Sequence, residues 1–227
     1  MRSWPESMWR AIVVGALLLV GLAPADSQVV LQQYSAALER VPAAKAAIYS
    51  YAVSQAGPTD IEQRHRIYRS GSEVRDETIA IDGVAPKLAA IRIYRSEDAY
   101  AIGRVAPRQA FYRFLYLRPV ARGDRIDYLY QTTPLVAGAF AVTQVLVDGK
   151  SLLPRTIWFT TGSLTASGKG VLQYEPISGH WMPVLATIDA IVGGKPARER
   201  IAWSDYRFPP SLPAATFNAR RLPLPPT

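Results

Sequence analysis

His65 and His180 are the only imidazoles in this 227-residue chain. A catalytic histidine needs a nucleophile or metal within reach and a further group to orient its ring. His65 lies in "QRHRIY", alternating with arginines, a pattern that predicts a solvent-facing strand position. His180 stands beside Gly179 at a turn, and neither has a ligand pattern around it. The acidic pairs Asp76-Glu77 and Glu97-Asp98 are adjacent in sequence, so on a strand their side chains diverge to opposite faces. Glycoside hydrolysis needs two carboxyl groups converging across roughly 5–10 Å, so these pairs read as solvated charge. No G-x-S-x-G elbow, H-E-x-x-H helix or Walker loop occurs. There is no cysteine, which excludes disulfides, thiolate metal sites, a cysteine nucleophile and a lipid-modified N-terminal Cys. No cofactor, metal or enzyme chemistry is indicated.

The elements that would position a binding site are easier to read. Arg2 and Arg10 flank a short polar start, Ala11 to Leu22 is continuously apolar, and Ala23-Pro24-Ala25 follows. The apolar run falls short of the roughly 20 residues of a membrane span. With its A-x-A ending it predicts a signal peptide over 1–25, cleaved after Ala25, and a periplasmic or secreted product. Removing that segment takes away two Arg and one Glu, and the formal charge falls from +8 to +7. A basic exported chain suits an anionic membrane surface or an envelope polymer. It has no Lys/Arg-rich cluster of the nucleic-acid type. One domain is expected over 26–218, with a basic, proline-rich tail at 219–227 expected to be disordered.

Helical spacing is confined to Val29–Arg40, before Pro42. Two-residue alternation then takes over. Strands are predicted at Ile48–Gln55, Ile61–Arg69, Val74–Ile81, Leu88–Arg95, Tyr100–Val105, Phe111–Leu117, Arg125–Gln131, Ala139–Val147, Thr156–Thr161 and Val171–Tyr174. A final hairpin, "HWMPVLATIDAIVGGKPARERIAWSDYRF", turns at Gly193-Gly194, and Pro183 marks an edge or a bulge. So many short strands without intervening helices predict a mostly β fold with an N-terminal helix. The expected architecture is a strongly curved antiparallel sheet, a half-open barrel with few covering helices.

Parity groups the side chains that share a face. Tyr49, Tyr51 and Val53 fall together, as do Tyr128 and Tyr130. In "FYRFLYLRP", Tyr112, Phe114 and Tyr116 oppose Phe111, Leu115 and Leu117. Both faces are apolar there, which predicts a strand covered twice, with Arg113 and Arg118 at its rim. In the final hairpin Val184, Ala186 and Ile188 face Ile201 and Trp203, with Arg198, Arg200 and Ser204 opposite. With few helices to seal them, these apolar faces predict a groove, and the small Ala186 leaves room in it.

The order of features resembles a family. A helix behind a signal peptide precedes many antiparallel strands, then "DGKSLLPRTIWF" (148–159), "GHWMPVLATI" (179–188) and "IAWSDYRFPPSLPAATF" (201–217). This is similar to the LolA/LolB-like periplasmic lipoprotein carriers and the outer-membrane lipoprotein-sorting proteins. The resemblance implies a half-open barrel whose concave apolar face takes up acyl chains beneath helical lids. It further implies an arginine on that face that latches the lid, and no single arginine in the sequence is marked for that role. The expected function is therefore an exported, non-enzymatic carrier for a lipid, a lipoprotein acyl chain or another apolar ligand. Its expected partners are a lipid or a lipidated protein. An envelope sensor or interaction module on the same fold, or an unrecognised hydrolase, are the alternatives.

Overall fold

The computed structural model describes residues 24–57, 60–88, 90–163 and 166–218. Residues 1–23 of the expected export signal and the expected tail at 219–227 lie outside the described residues. Helix α1 (Pro24–Glu39) begins before the periodic residues and stops short of Pro42. Its last turn tightens, Arg40 N–H donating to the Ala37 carbonyl at 3.1 Å, where the coming proline disfavours further helix.

Eleven strands follow: β1 (Ala46–Ala56), β2 (Ile61–Ser70), β3 (Glu73–Ile81), β4 (Ala90–Arg95), β5 (Tyr112–Arg122), β6 (Arg125–Pro134), β7 (Phe140–Val147), β8 (Pro154–Gly162), β9 (Ala166–Ile177), β10 (His180–Val192) and β11 (Lys195–Arg207). They form one antiparallel sheet in the order β4-β3-β2-β1-β11-β10-β9-β8-β7-β6-β5, curved but not closed into a barrel. Two meanders are thus joined at a β1–β11 seam, with Tyr51 opposite Trp203 and Val53 opposite Ile201. Successive positive φ values at Asp82-Gly83, Ser178-Gly179 and Gly193-Gly194 give the turn geometry that matches sheet twist.

The inner face is filled unevenly. Over β5–β9, α1 buries Val30, Leu31, Tyr34 and Leu38 against Tyr130, Val142, Val145, Ile157 and Leu172. Tyr34 meets Phe114 edge-on at 5.8 Å, and the Tyr130 hydroxyl donates to the Ser27 carbonyl at 2.8 Å. Among the described residues, the other half, β1–β4 and β11, has no long helix over it. Residues 96–100 lie over it instead, leading through a four-residue helix α2 (Ile102–Val105) to α1.

Several expectations change. Tyr100–Val105 is not a strand: a turn built on Asp98, whose carboxylate and carbonyl accept the N–H groups of Tyr100 and Ala101, leads into α2. β5 is an edge strand covered on one side only, because the non-local β1–β11 pairing puts it at the end of the sheet. Phe111, Leu115 and Leu117 are consequently exposed. His65 and Asp76 are buried, not solvated. Val184 is also displaced: a bulge between Pro183 and Leu185 breaks the parity that grouped it with Ala186, and Pro183 occupies the buried place opposite Tyr174.

Candidate apolar site on the concave face

Where no helix reaches, the inner face leaves a recess of about 270 Å³. Tyr49, Tyr51 and Val53 of β1 form its floor with Ile201 and Trp203 of β11 and Ile67 of β2. Register brings them together: Tyr51 pairs with both Trp203 and His65, Tyr49 with Ile67, and Val53 with Ile201. Segment 96–100 and Tyr94 close the rim. A second recess of about 320 Å³ adjoins it beneath the end of α1, bounded by Leu38, Val41, Ile102 and Pro183. Tyr49, Arg69 and Asp98 belong to both walls. Each alone sits near the lower end of the roughly 300–1,000 Å³ of small-molecule sites, and side by side they describe one elongated apolar trough.

The covering segment is held by few bonds. Arg69, on the inner face of β2, donates from Nη1 to the Ser96 carbonyl at 2.8 Å. The Tyr174 hydroxyl donates to the Tyr100 carbonyl at 2.8 Å, and the Tyr34 hydroxyl to the Pro107 carbonyl at 2.7 Å. Tyr100 lies edge-on to Trp203 at 4.9 Å. Arg69 is thus a concave-face arginine that touches the cover. Burial pushes the Tyr49 phenol up to about 12, with Asp98 adding and Arg69 opposing. Desolvation likewise raises Tyr51. The trough thus presents neutral hydroxyls at ordinary pH.

A polar row runs beside the trough on the same face. Tyr51 stacks on His65 at 4.7 Å. His65 Nδ1 lies 2.7 Å from Asp76 Oδ1, and Arg92 donates to Asp76 Oδ2 at 3.0 Å. Burial pushes the Asp76 carboxyl up, but the hydrogen bonds and charges of His65 and Arg92 outweigh it and hold it below the usual range. His65 Nε2 faces Gln63 Oε1 at 3.3 Å. Both ring nitrogens therefore have partners within the protein. Among the described residues no group of acidic, His or Cys side chains could hold a metal ion.

The chain is similar in fold to several solved structures. One, a LolA superfamily protein from Nitrosomonas europaea, is 16% identical, covering 86% of this chain and 98% of its own, with a TM-score of 0.44. A DUF1329 family protein from Desulfovibrio piger is 12% identical over 85% of this chain and 98% of its own, at 0.49. A domain described as an outer membrane lipoprotein-sorting protein, from Vibrio parahaemolyticus, is 15% identical over 84% and 95%, at 0.43. No family model and no curated protein matches the sequence. At these identities the likeness is one of fold.

The remaining candidates fall elsewhere on the inner face. Phe114, Tyr116 and Tyr130 make a ring cluster under α1, with centroids 5.6–6.1 Å apart, and Tyr128 packs beside it. They are core of the helix-covered half. Ile188 is half-buried on the inner face, paired with Glu199. Ala186 is 1% exposed between Leu172 and Ile201 and lies outside the wall of the trough. Ala186→Trp is accordingly expected to overpack the core and lower stability by about 1–3 kcal/mol, measured by urea denaturation. An equally stable variant would show free space there.

Proposed function

We propose that this is an exported, non-enzymatic binding protein that accommodates an apolar chain in the trough over β1, β2 and β11. The chain belongs to a lipid, a lipoprotein acyl group or a similar ligand, and the working unit is a single domain over 26–218. The observation that carries this reading is the trough itself: an aromatic and aliphatic wall under a cover held by a few hydrogen bonds instead of a packed helix. The 96–100 part of that cover, exposed or half-buried throughout, can leave without unfolding the sheet, since segments with few buried apolar contacts open at low free-energy cost. Arg69 and Asp98 at the shared boundary would meet the polar end of the ligand.

Titration of the purified protein with a fluorescent fatty acid tests the proposal, alongside mass spectrometry of its organic extract. Val53→Trp should fill the trough and weaken the probe at least about ten-fold, a change of about 1.4 kcal/mol, with an unchanged urea midpoint. Ser54→Trp, on the opposite face of the same strand, should leave binding intact. Equal affinity of Val53→Trp and wild type would remove the trough from the binding model. A lipid-free extract, no probe binding and a stably crosslinked protein partner would favour an interaction module instead.

A further inference from the structure

The outer side of the β5–β6 edge combines exposed apolar side chains with unpaired positive charge. Leu135 N–H donates to the Phe111 carbonyl at 2.8 Å, extending the ladder one step beyond Tyr112 and Pro134. Alternation then puts Phe111, Arg113 and Leu115 on one face, opposite Leu135, Thr133 and Gln131. Phe111 is 64% exposed, Leu115 60% and Val136, in the following turn, 82%. Leu117, at the bulge between Tyr116 and Arg118, is exposed as well. A cluster of large apolar side chains in water marks a contact surface more often than scattered single ones do.

Charge says what it contacts. Arg113 and Arg118 are exposed and form no ion pair among the described residues. The nearby Asp127 and Asp148 are buried and bound to Arg122 and Arg155, so they do not neutralise the surface. Of the carboxylates around the hairpin, Asp124 in its turn is the exposed one, beside Arg125 at 4.0 Å.

We propose that this edge docks on an anionic lipid bilayer, Phe111, Leu115 and Val136 entering the headgroup boundary while Arg113 and Arg118 meet the phosphates. Apolar and arginine side chains presented together suit the membrane interface, where area and charge add. The surface is separate from the trough, yet continuous with its cover: the segment that begins at Ser96 on Arg69 ends at Phe111. Between the two, the chain is anchored to α1 by Tyr34 on Pro107, Arg108 on Glu39 and Ser35 on Gln109.

Co-sedimentation with vesicles of phosphatidylcholine, alone or mixed with phosphatidylglycerol, tests this. Binding is expected only to the mixed vesicles and should weaken as ionic strength rises. Phe111→Ser/Leu115→Ser and Arg113→Glu/Arg118→Glu should each reduce it at least about ten-fold, since one arginine near such a surface is worth about five-fold. Arg66→Glu/Arg200→Glu, on the outer face in mid-sheet, should change it less than about three-fold by the same measure. Thermal melts confirm the fold, and unchanged fatty-acid affinity of the edge variants separates this proposal from the trough. Equal binding to neutral and mixed vesicles, no vesicle binding, or equal loss in the mid-sheet variant would overturn it. So would a dimer in solution that the edge substitutions abolish, which would make a second copy the occupant.

Discussion

Replacing Asp148 with alanine is expected to destabilise the protein by about 3–5 kcal/mol, because it breaks a buried ionic cluster from one side. Asp148 is 2% exposed. Its Oδ1 accepts the Ser151 N–H at 2.8 Å, the Ser151 hydroxyl at 2.9 Å and the Lys150 N–H at 3.1 Å. Its Oδ2 accepts Arg155 at 2.6 Å and Arg122 at 3.2 Å. Without it, the largely buried Arg155 retains only Asp127, at 3.7 Å, among its ion-pair partners here. The turn that holds Leu152 at a φ of 59° also loses its carboxylate anchor.

The same residue sets a pH dependence. Burial pushes the Asp148 carboxyl up, but Arg155 and the Ser151 donors outweigh it and bring it to about 2, against about 3.9 in an unfolded chain. A depressed carboxyl contributes stability that is present above about pH 4 and is lost as pH falls toward about 2. The loss from this group is about 2 kcal/mol, and Asp76 acts in the same direction. Urea midpoints between about pH 7 and about pH 2 measure it. Asp148→Asn should show a shallower acid decline than the wild type, and parallel curves would contradict the assignment.

Tyr34→Ala is the second large effect, expected at about 3–5 kcal/mol. The ring is fully buried between α1 and the sheet, edge-on to Phe114. Its hydroxyl, kept protonated by desolvation, is one of three ties from the Pro107 end of the cover to the helix, beside Arg108 on Glu39 and Ser35 on Gln109. Tyr34→Phe isolates that bond and should cost about 1 kcal/mol. Hydrogen exchange of the Ile102–Val105 amides should then accelerate while strand amides stay protected. Uniform protection would show that the cover is held elsewhere.

Much of the sheet was legible in the sequence because turn chemistry is local. Gly193-Gly194 and Ser70-Gly71-Ser72 fix their hairpins whatever the rest of the chain does. Parity correctly grouped Tyr49, Tyr51 and Val53, and Ile201 with Trp203, since the register shift beside Tyr49 puts its extra residue in β11 beyond Trp203 and leaves both alternations intact. It failed at Val184, where the bulge at Pro183 resets alternation. His65 was misplaced because alternation with arginines looks the same whether the odd residue is solvated or hidden. Only the pairing of β2 with β3 supplies the carboxylate that lets an imidazole be buried. β5 was misread for a related reason: two apolar faces indicate a central strand, and strand order is a non-local property. Which of these faces meet left no local signal, since the floor comes from β1, β2 and β11 and the β1–β11 pairing is non-local.

That seam also dictates when the molecule can work. Ser54 and Arg200 are partners in the ladder although most of the chain lies between them. Closing so long a loop costs entropy before any contact repays it, so folding is expected to be slow, in the range of roughly milliseconds to seconds. The β1–β4 meander can assemble early, but Ile201 and Trp203 of the trough floor arrive with the last strand. A chain still emerging from synthesis therefore has no complete trough, and the proposed ligand would have to wait until its final strand has zipped into the middle of the sheet.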